Sequence, residues 1–164
     1  LRVTPYKDTD ALLTILTADQ GKITAKARGL RRKNSLLVAP CQLLTYSEFT
    51  LFEYKDMHTI NEAHSIELFQ GLRRDLPKLS LGTYFAQVAE LISQEDMPTP
   101  ELLSLVLNCL YALTALDVPT TQVKAVFEEA FRSMKPGDGV LVGMFLFPPF
   151  GIILGPFFGA VSHI

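Results

Sequence analysis

The chain has 164 residues, a net charge of −2, 48% hydrophobic residues and two cysteines. That length and apolar content suit one ordinary domain or two small ones, and two cysteines as far apart as Cys41 and Cys109, without metal-ligand spacing, argue against a disulfide scaffold or a zinc site. The pattern points to a reduced, cytosolic protein.

The small net charge conceals an asymmetry. Residues 1–78 carry twelve Lys/Arg against nine Asp/Glu, whereas residues 79–164 carry three against eight, which is +3 and −5. Two parts with different partners are expected. Leu1 is not an initiator methionine, so a few native residues are expected before it, with the chain opening part-way through its first strand.

Up to about Tyr54 the pattern is β: short runs rich in Val, Ile, Leu, Thr, Phe and Tyr alternate with turn residues. Leu12 to Thr17 leads through Ala18-Asp19-Gln20-Gly21 into Lys22 to Arg28, the spacing of a hairpin with glycine where φ is positive. Asp8 and Asp10 could pair as metal ligands, but the expected reading is a polar turn before Ala11, shaped by hydrogen bonds to local backbone amides.

The second arm of that hairpin opens the most informative stretch. From Lys22 to Lys33 there are six cations in twelve residues, and no acid occurs between Gly21 and Ser47. Lys22, Thr24, Lys26 and Arg28 fall on one side of an extended strand and Ile23, Ala25 and Ala27 on the other. Side chains on one strand face recur every ~6.5–7 Å, so the cations can follow an extended phosphate backbone. Arg31, Arg32 and Lys33 then project from an aperiodic arm and extend one positive field. The bland alternative is an edge strand whose lysines only deter aggregation.

Val38 to Tyr46, Glu48 to Tyr54 and His58 to Ala63 supply further strands, with Lys55-Asp56 as a tight turn. About five strands in this space predict a small closed barrel of OB type, with an SH3-like barrel compatible with the same pattern. Tyr46, Phe49, Phe52 and Tyr54 are spaced for a barrel, so most are expected in its core, with one or two exposed rings able to stack on bases; none is assigned to stacking.

From Ser65 the period becomes helical. A short piece through Leu68, Phe69 and Leu72 ends before Pro77. A helix with Ser80 as N-cap buries Leu81, Tyr84, Phe85, Val88, Leu91 and Ile92. Thr99-Pro100-Glu101 opens another, with Leu102, Leu103, Val106, Leu110 and Leu113 inward. Pro119-Thr120 opens a third, carrying Val123, Val126, Phe127, Ala130 and Phe131 until Lys135-Pro136-Gly137.

Three stretches of this chain resemble the bacterial recombination mediator family RecO: the opening Leu1 to Asp10, the Leu16 to Lys22 turn, and the Ala27 to Ser35 arm. The likeness covers residues 1–128. It implies an N-terminal OB barrel on a helical domain, and a protein that binds single- and double-stranded DNA and anneals complementary strands. RecR, single-strand-binding protein and the recombinase RecA are the partners the resemblance implies, with a cytoplasmic, nucleoid-associated location. The DNA surface it implies is Lys22, Lys26, Arg28, Arg31, Arg32 and Lys33, with Arg2 and Lys7 nearby, all neutralising phosphates.

The departure begins near residue 129, where the family would continue with further helices and, in many members, a cysteine cluster. Instead Gly139 to Ser162 is an uncharged run of twenty-four residues, with Gly151, Gly155 and Gly159 at small-residue spacing and Pro148, Pro149 and Pro156 opposing one straight helix. Three readings stay open: a mis-joined C-terminus, a membrane anchor or re-entrant hairpin, and a buried soluble hairpin. The expected organisation is α+β: residues 1–78 as the barrel with a linker helix, 79–135 as the helical domain, and 136–164 as an atypical hydrophobic tail. His58 and His64 read as surface residues, no cofactor or metal site is expected, and no catalytic motif is present. The alternative function is a membrane-associated adaptor, its tail inserted and its basic arm on anionic headgroups.

Overall fold

In the computed structural model, residues 1–133 are described. Five strands come first: β1 (Arg2–Tyr6), β2 (Asp10–Thr17), β3 (Gly21–Ala27), β4 (Tyr46–Tyr54) and β5 (Met57–Glu67). Four helices follow: α1 (Gln70–Arg73), α2 (Leu76–Ile92), α3 (Pro100–Ala115) and α4 (Thr120–Ser133). The uncharged run at 139–162 lies outside the described residues. Within them, no helix is long and apolar enough to cross a membrane.

The strand order is β1-β2-β3-β5-β4, antiparallel throughout except where β3 runs parallel to β5. This is the Greek-key order of an OB-type barrel, and the chain is α+β as expected. Among the described residues the sheet is not closed by hydrogen bonds, because β1 and β4 remain its two edges.

The expected strand from Val38 to Tyr46 does not form. Residues 28–45 instead make turn upon turn, held by Arg32 N to Gly29 O at 3.0 Å, Ser35 N to Arg32 O at 3.2 Å and Cys41 N to Leu37 O at 3.0 Å. The fifth strand is Arg2–Tyr6, paired with β2 from Arg2↔Thr14 to Tyr6↔Asp10. An apolar run does not distinguish a strand from a folded turn segment when its backbone partners are local.

Alternation sorts β3 as predicted. Ile23, Ala25 and Ala27 are buried, with Ala25 and Ala27 in the barrel interior beside Leu13, Leu30, Cys41 and Ile60, while Lys22, Thr24 and Lys26 face outward. Gly21 has φ +71°, which the hairpin turn requires, and a Cβ there would lie 2.4 Å from the Gln94 carbonyl oxygen. The α2–α3 loop sits against this turn, with Lys22 N donating to Gln94 O at 3.1 Å and Asp96 N to Gln20 O at 3.1 Å. At the Lys55-Asp56 turn both residues have positive φ, as a two-residue hairpin of type I′ requires.

Helix α2 starts four residues before the proposed Ser80 cap. Asp75 is its N-cap, its carboxylate accepting from Lys78 N at 3.1 Å, and Pro77 sits in the first turn where a missing N–H is harmless. Its buried stripe is small: Gly82, Phe85, Ala86 and Ala89, with Leu91 84% exposed against expectation. A Cβ on Gly82 would meet Leu110 and Leu44 side chains at 3.1 Å, so this stripe admits close approach of α3 and the barrel loop. Phe85 and Phe127 stack at 4.2 Å between centroids, with Tyr84 tilted or edge-on to both, and join α2 to α4. Leu16 and Leu44 belong to the helical core, so barrel and helices share packing.

Candidate nucleic-acid interface

The basic arm begins where β3 ends. Gly29 adopts φ +65° and turns the chain, Leu30 drops into the barrel core at 8% exposure, and Arg28, Arg31, Arg32 and Lys33 are left outside. One apolar residue among four cations thus anchors the arm.

Its base is tied to the β1–β2 turn. Arg31 N donates to Thr9 O at 2.9 Å, Gly29 N to Asp10 Oδ1 at 2.8 Å, and the Arg31 guanidinium to Lys7 O at 3.4 Å. Lys7, Arg28 and Arg32 face one shallow cup that also holds Asp8 and Asp10. The Arg32 side chain folds back over Gly29, where a Cβ would meet its Cδ at 3.2 Å. Among the described residues, no carboxylate forms a salt bridge with Arg28, Arg31, Arg32 or Lys33.

The strand-borne cations differ. Lys22 Nζ donates to Glu90 O at 3.0 Å, in the last turn of α2, where a cation complements the exposed carbonyls. Arg2 reaches the Glu90 carboxylate at 2.9 Å. Lys26 Nζ lies 3.5 Å from Asp10 Oδ2 and 5.2 Å from the Tyr6 ring centroid, with its side chain 17% exposed. The proposed track therefore divides into an outward arm and two lysines occupied by protein groups.

Asp10 links the two. Its carboxyl is held below the usual carboxylate range chiefly by the Gly29 amide, with Lys26 adding to the effect. The local turn expected of Asp10 is a long-range contact instead, across nineteen positions to Gly29. Nothing in the spacing of Asp10 and Gly29 signals this, since their approach depends on β2 pairing with β3.

Of the four aromatics on β4, Tyr46 packs against the helical core and Phe49 against the barrel core, as expected. Phe52 and Tyr54 are the two exposed rings, at 61% each. They occupy the part of the β4–β5 hairpin that runs past the buried barrel residues. His64 Nε2 lies 3.1 Å from Glu62 Oε1, both exposed, and no cluster of three or more metal-ligating side chains occurs among the described residues.

Residues 1–69 match the family described as "Recombination protein O N terminal". A DNA repair protein RecO of Acetivibrio thermocellus is 42% identical over 121 residues, covering 74% of this chain and 48% of that protein. The RecO of Alkaliphilus metalliredigens is 33% identical over 128 residues, and that of Bacillus subtilis 31% over 113 residues, covering 52% and 44% of those proteins. The chain thus spans about half the length of the curated relatives it matches. Residues 1–69, with their sheet in OB order and the basic arm, thus carry the N-terminal domain of the recombination protein O family, and the likeness to RecO proteins continues into the helices that follow.

Proposed function

We propose that this chain is a DNA-binding module of recombinational repair that holds DNA by its phosphates and brings complementary single strands together without a catalytic step of its own. The carrying observation is the arm of Arg28, Arg31, Arg32 and Lys33, exposed and without a salt-bridged carboxylate among the described residues, on a barrel of the RecO family. Four outward cations in six residues raise the local anion concentration and release counterions from a bound strand. The contacts carry little sequence information, which suits annealing of arbitrary strands. Lys22 and Lys26 contribute to the field while their ammonium groups hold Glu90 and Asp10.

The longer relatives are named as DNA repair proteins. On the family link, the partners of this reading are RecR, single-strand-binding protein and RecA, in the cytoplasm on the nucleoid. The test is anisotropy of a labelled single-stranded oligonucleotide at several salt concentrations, beside a variant with the four arm cations changed to alanine. The log-log salt slope is expected to fall by roughly 0.7 per cation removed. Salt-insensitive binding, unchanged in the variant, overturns the reading.

A further inference from the structure

Outside the arm, the exposed outer face of the β4–β5 hairpin is the feature its fold least explains. Phe52 and Tyr54 are two residues apart on β4 and so share a face, and Tyr54 pairs with Met57 of β5, which is 46% exposed. Three large apolar side chains are therefore contiguous in solvent, where single ones would need no explanation. Lys55 Nζ lies 5.2 Å from the Tyr54 ring centroid.

The register shows where this face leads. Lys26 is aligned with Thr59, and Thr59 with Phe52, so one row crosses β3, β5 and β4 on a single side of the sheet. Adjacent strands lie about 4.8 Å apart, which puts Phe52 about 10 Å from the basic strand. Thr24, exposed on β3 two residues before Lys26, continues the same surface without charge. In the other direction along β4, Thr50 pairs with Glu62 and Glu48 with His64, and both carboxylates are exposed. The parallel β3–β5 register carries Arg28 toward this same end, so a strand reaching from the arm to the rings passes on the β3 side of these carboxylates.

From this juxtaposition we infer that Phe52 and Tyr54 form a stacking platform for the bases of a single nucleic-acid strand whose phosphates run along the Arg28 to Lys33 arm. The inference rests on the DNA-binding reading and deepens it: the arm supplies affinity for any phosphodiester chain, and the rings supply preference for unpaired bases. Every base has a π face, so stacking adds affinity without sequence selection. Bases inside a duplex are already stacked and cannot reach the rings.

The chain has no tryptophan, so Phe52→Trp places a single reporter on the platform. Oligothymidylate added to the full chain carrying Phe52→Trp is expected to quench its emission. Phe52→Ala with Tyr54→Ala is expected to weaken oligothymidylate binding about tenfold per ring removed, leave duplex binding unchanged and keep the salt slope. Thermal melts should match wild type, because both side chains are exposed.

Equal oligothymidylate affinity of wild type and the double variant overturns the platform and leaves the arm standing. Weakening of single-strand and duplex binding alike overturns it too. So does a changed oligomeric state with unchanged affinity, which marks the rings as a protein contact. Failure of wild type to bind at all overturns the DNA reading with it.

Discussion

Asp10 Oδ1 accepts the Gly29 amide at 2.8 Å, and this one bond fastens the start of the basic arm to the strand that precedes β3. The same carboxylate faces Lys26 at 3.5 Å through its other oxygen, so it shapes the arm and occupies a cation.

The lowered pKa of Asp10 gives a pH dependence whose sign is determined. Its ionised form is favoured in the folded state, so its contribution is present above the unfolded carboxylate value near about 3.9 and lost as pH falls through the lower folded value. Acid should therefore loosen the arm before it unfolds the helices. The protection of the Gly29 amide relative to its intrinsic exchange rate is expected to fall over that window in wild type. In Asp10→Asn, which keeps an acceptor oxygen and cannot titrate, the fall should vanish; a fall that persists assigns the effect elsewhere.

Gly21→Ala should be among the most damaging single-atom changes in the barrel. Its φ of +71° disfavours an L residue, and the new Cβ would lie 2.4 Å from Gln94 O and 2.5 Å from Met97 O, both backbone atoms. Left-handed strain alone costs about 1–2 kcal/mol, and displacement of the α2–α3 loop adds to it. A loss of at least about 2 kcal/mol in urea unfolding is expected, with a smaller loss disproving the tight docking of that loop.

How much of this was legible in the residues depends on the range of the interaction. Alternation along Lys22 to Arg28 and the turn glycine at Gly21 are local, and both read correctly. The segment from Val38 to Tyr46 misread because its apolar residues bury themselves from successive turns, with Cys41 and Leu44 inside and Val38 outside. The outward cap at Ser80 misread because Pro77 looked like a terminator when it is a first-turn proline. For the site, the arm was visible as composition. The occupancy of Lys22 by Glu90 and of Lys26 by Asp10 was not, since each pairs elements remote in sequence.

That difference in occupancy separates two kinds of lysine. Lys22→Ala removes a cation from the carbonyl end of α2 and should cost about 1 kcal/mol of stability, with little change in the salt slope of DNA binding. Lys33→Ala should do the reverse: stability within about 0.5 kcal/mol of wild type and a salt slope smaller by roughly 0.7. Urea denaturation and salt titration of the two variants check this, and a reversed pattern would place the phosphate contact on the strand instead of the arm.

The two thiols report on barrel and helices separately. Burial raises Cys41 to about 11 and raises Cys109 further, so neither supplies appreciable thiolate at pH 8 and both should resist iodoacetamide in the folded chain. Their surroundings differ, however. Cys41 lies in the turn-built 28–45 segment over the small barrel cluster, whereas Cys109 is fully buried at the middle of α3 within the larger helical core. Local opening of a segment held by isolated turns needs less free energy than opening a packed helix. In urea below the main transition, Cys41 in a Cys109→Ala variant is expected to label faster than Cys109 in a Cys41→Ala variant. Equal rates would mean that both thiols become accessible only through one global unfolding, and that the loop carrying the arm opens no more readily than the core beneath it.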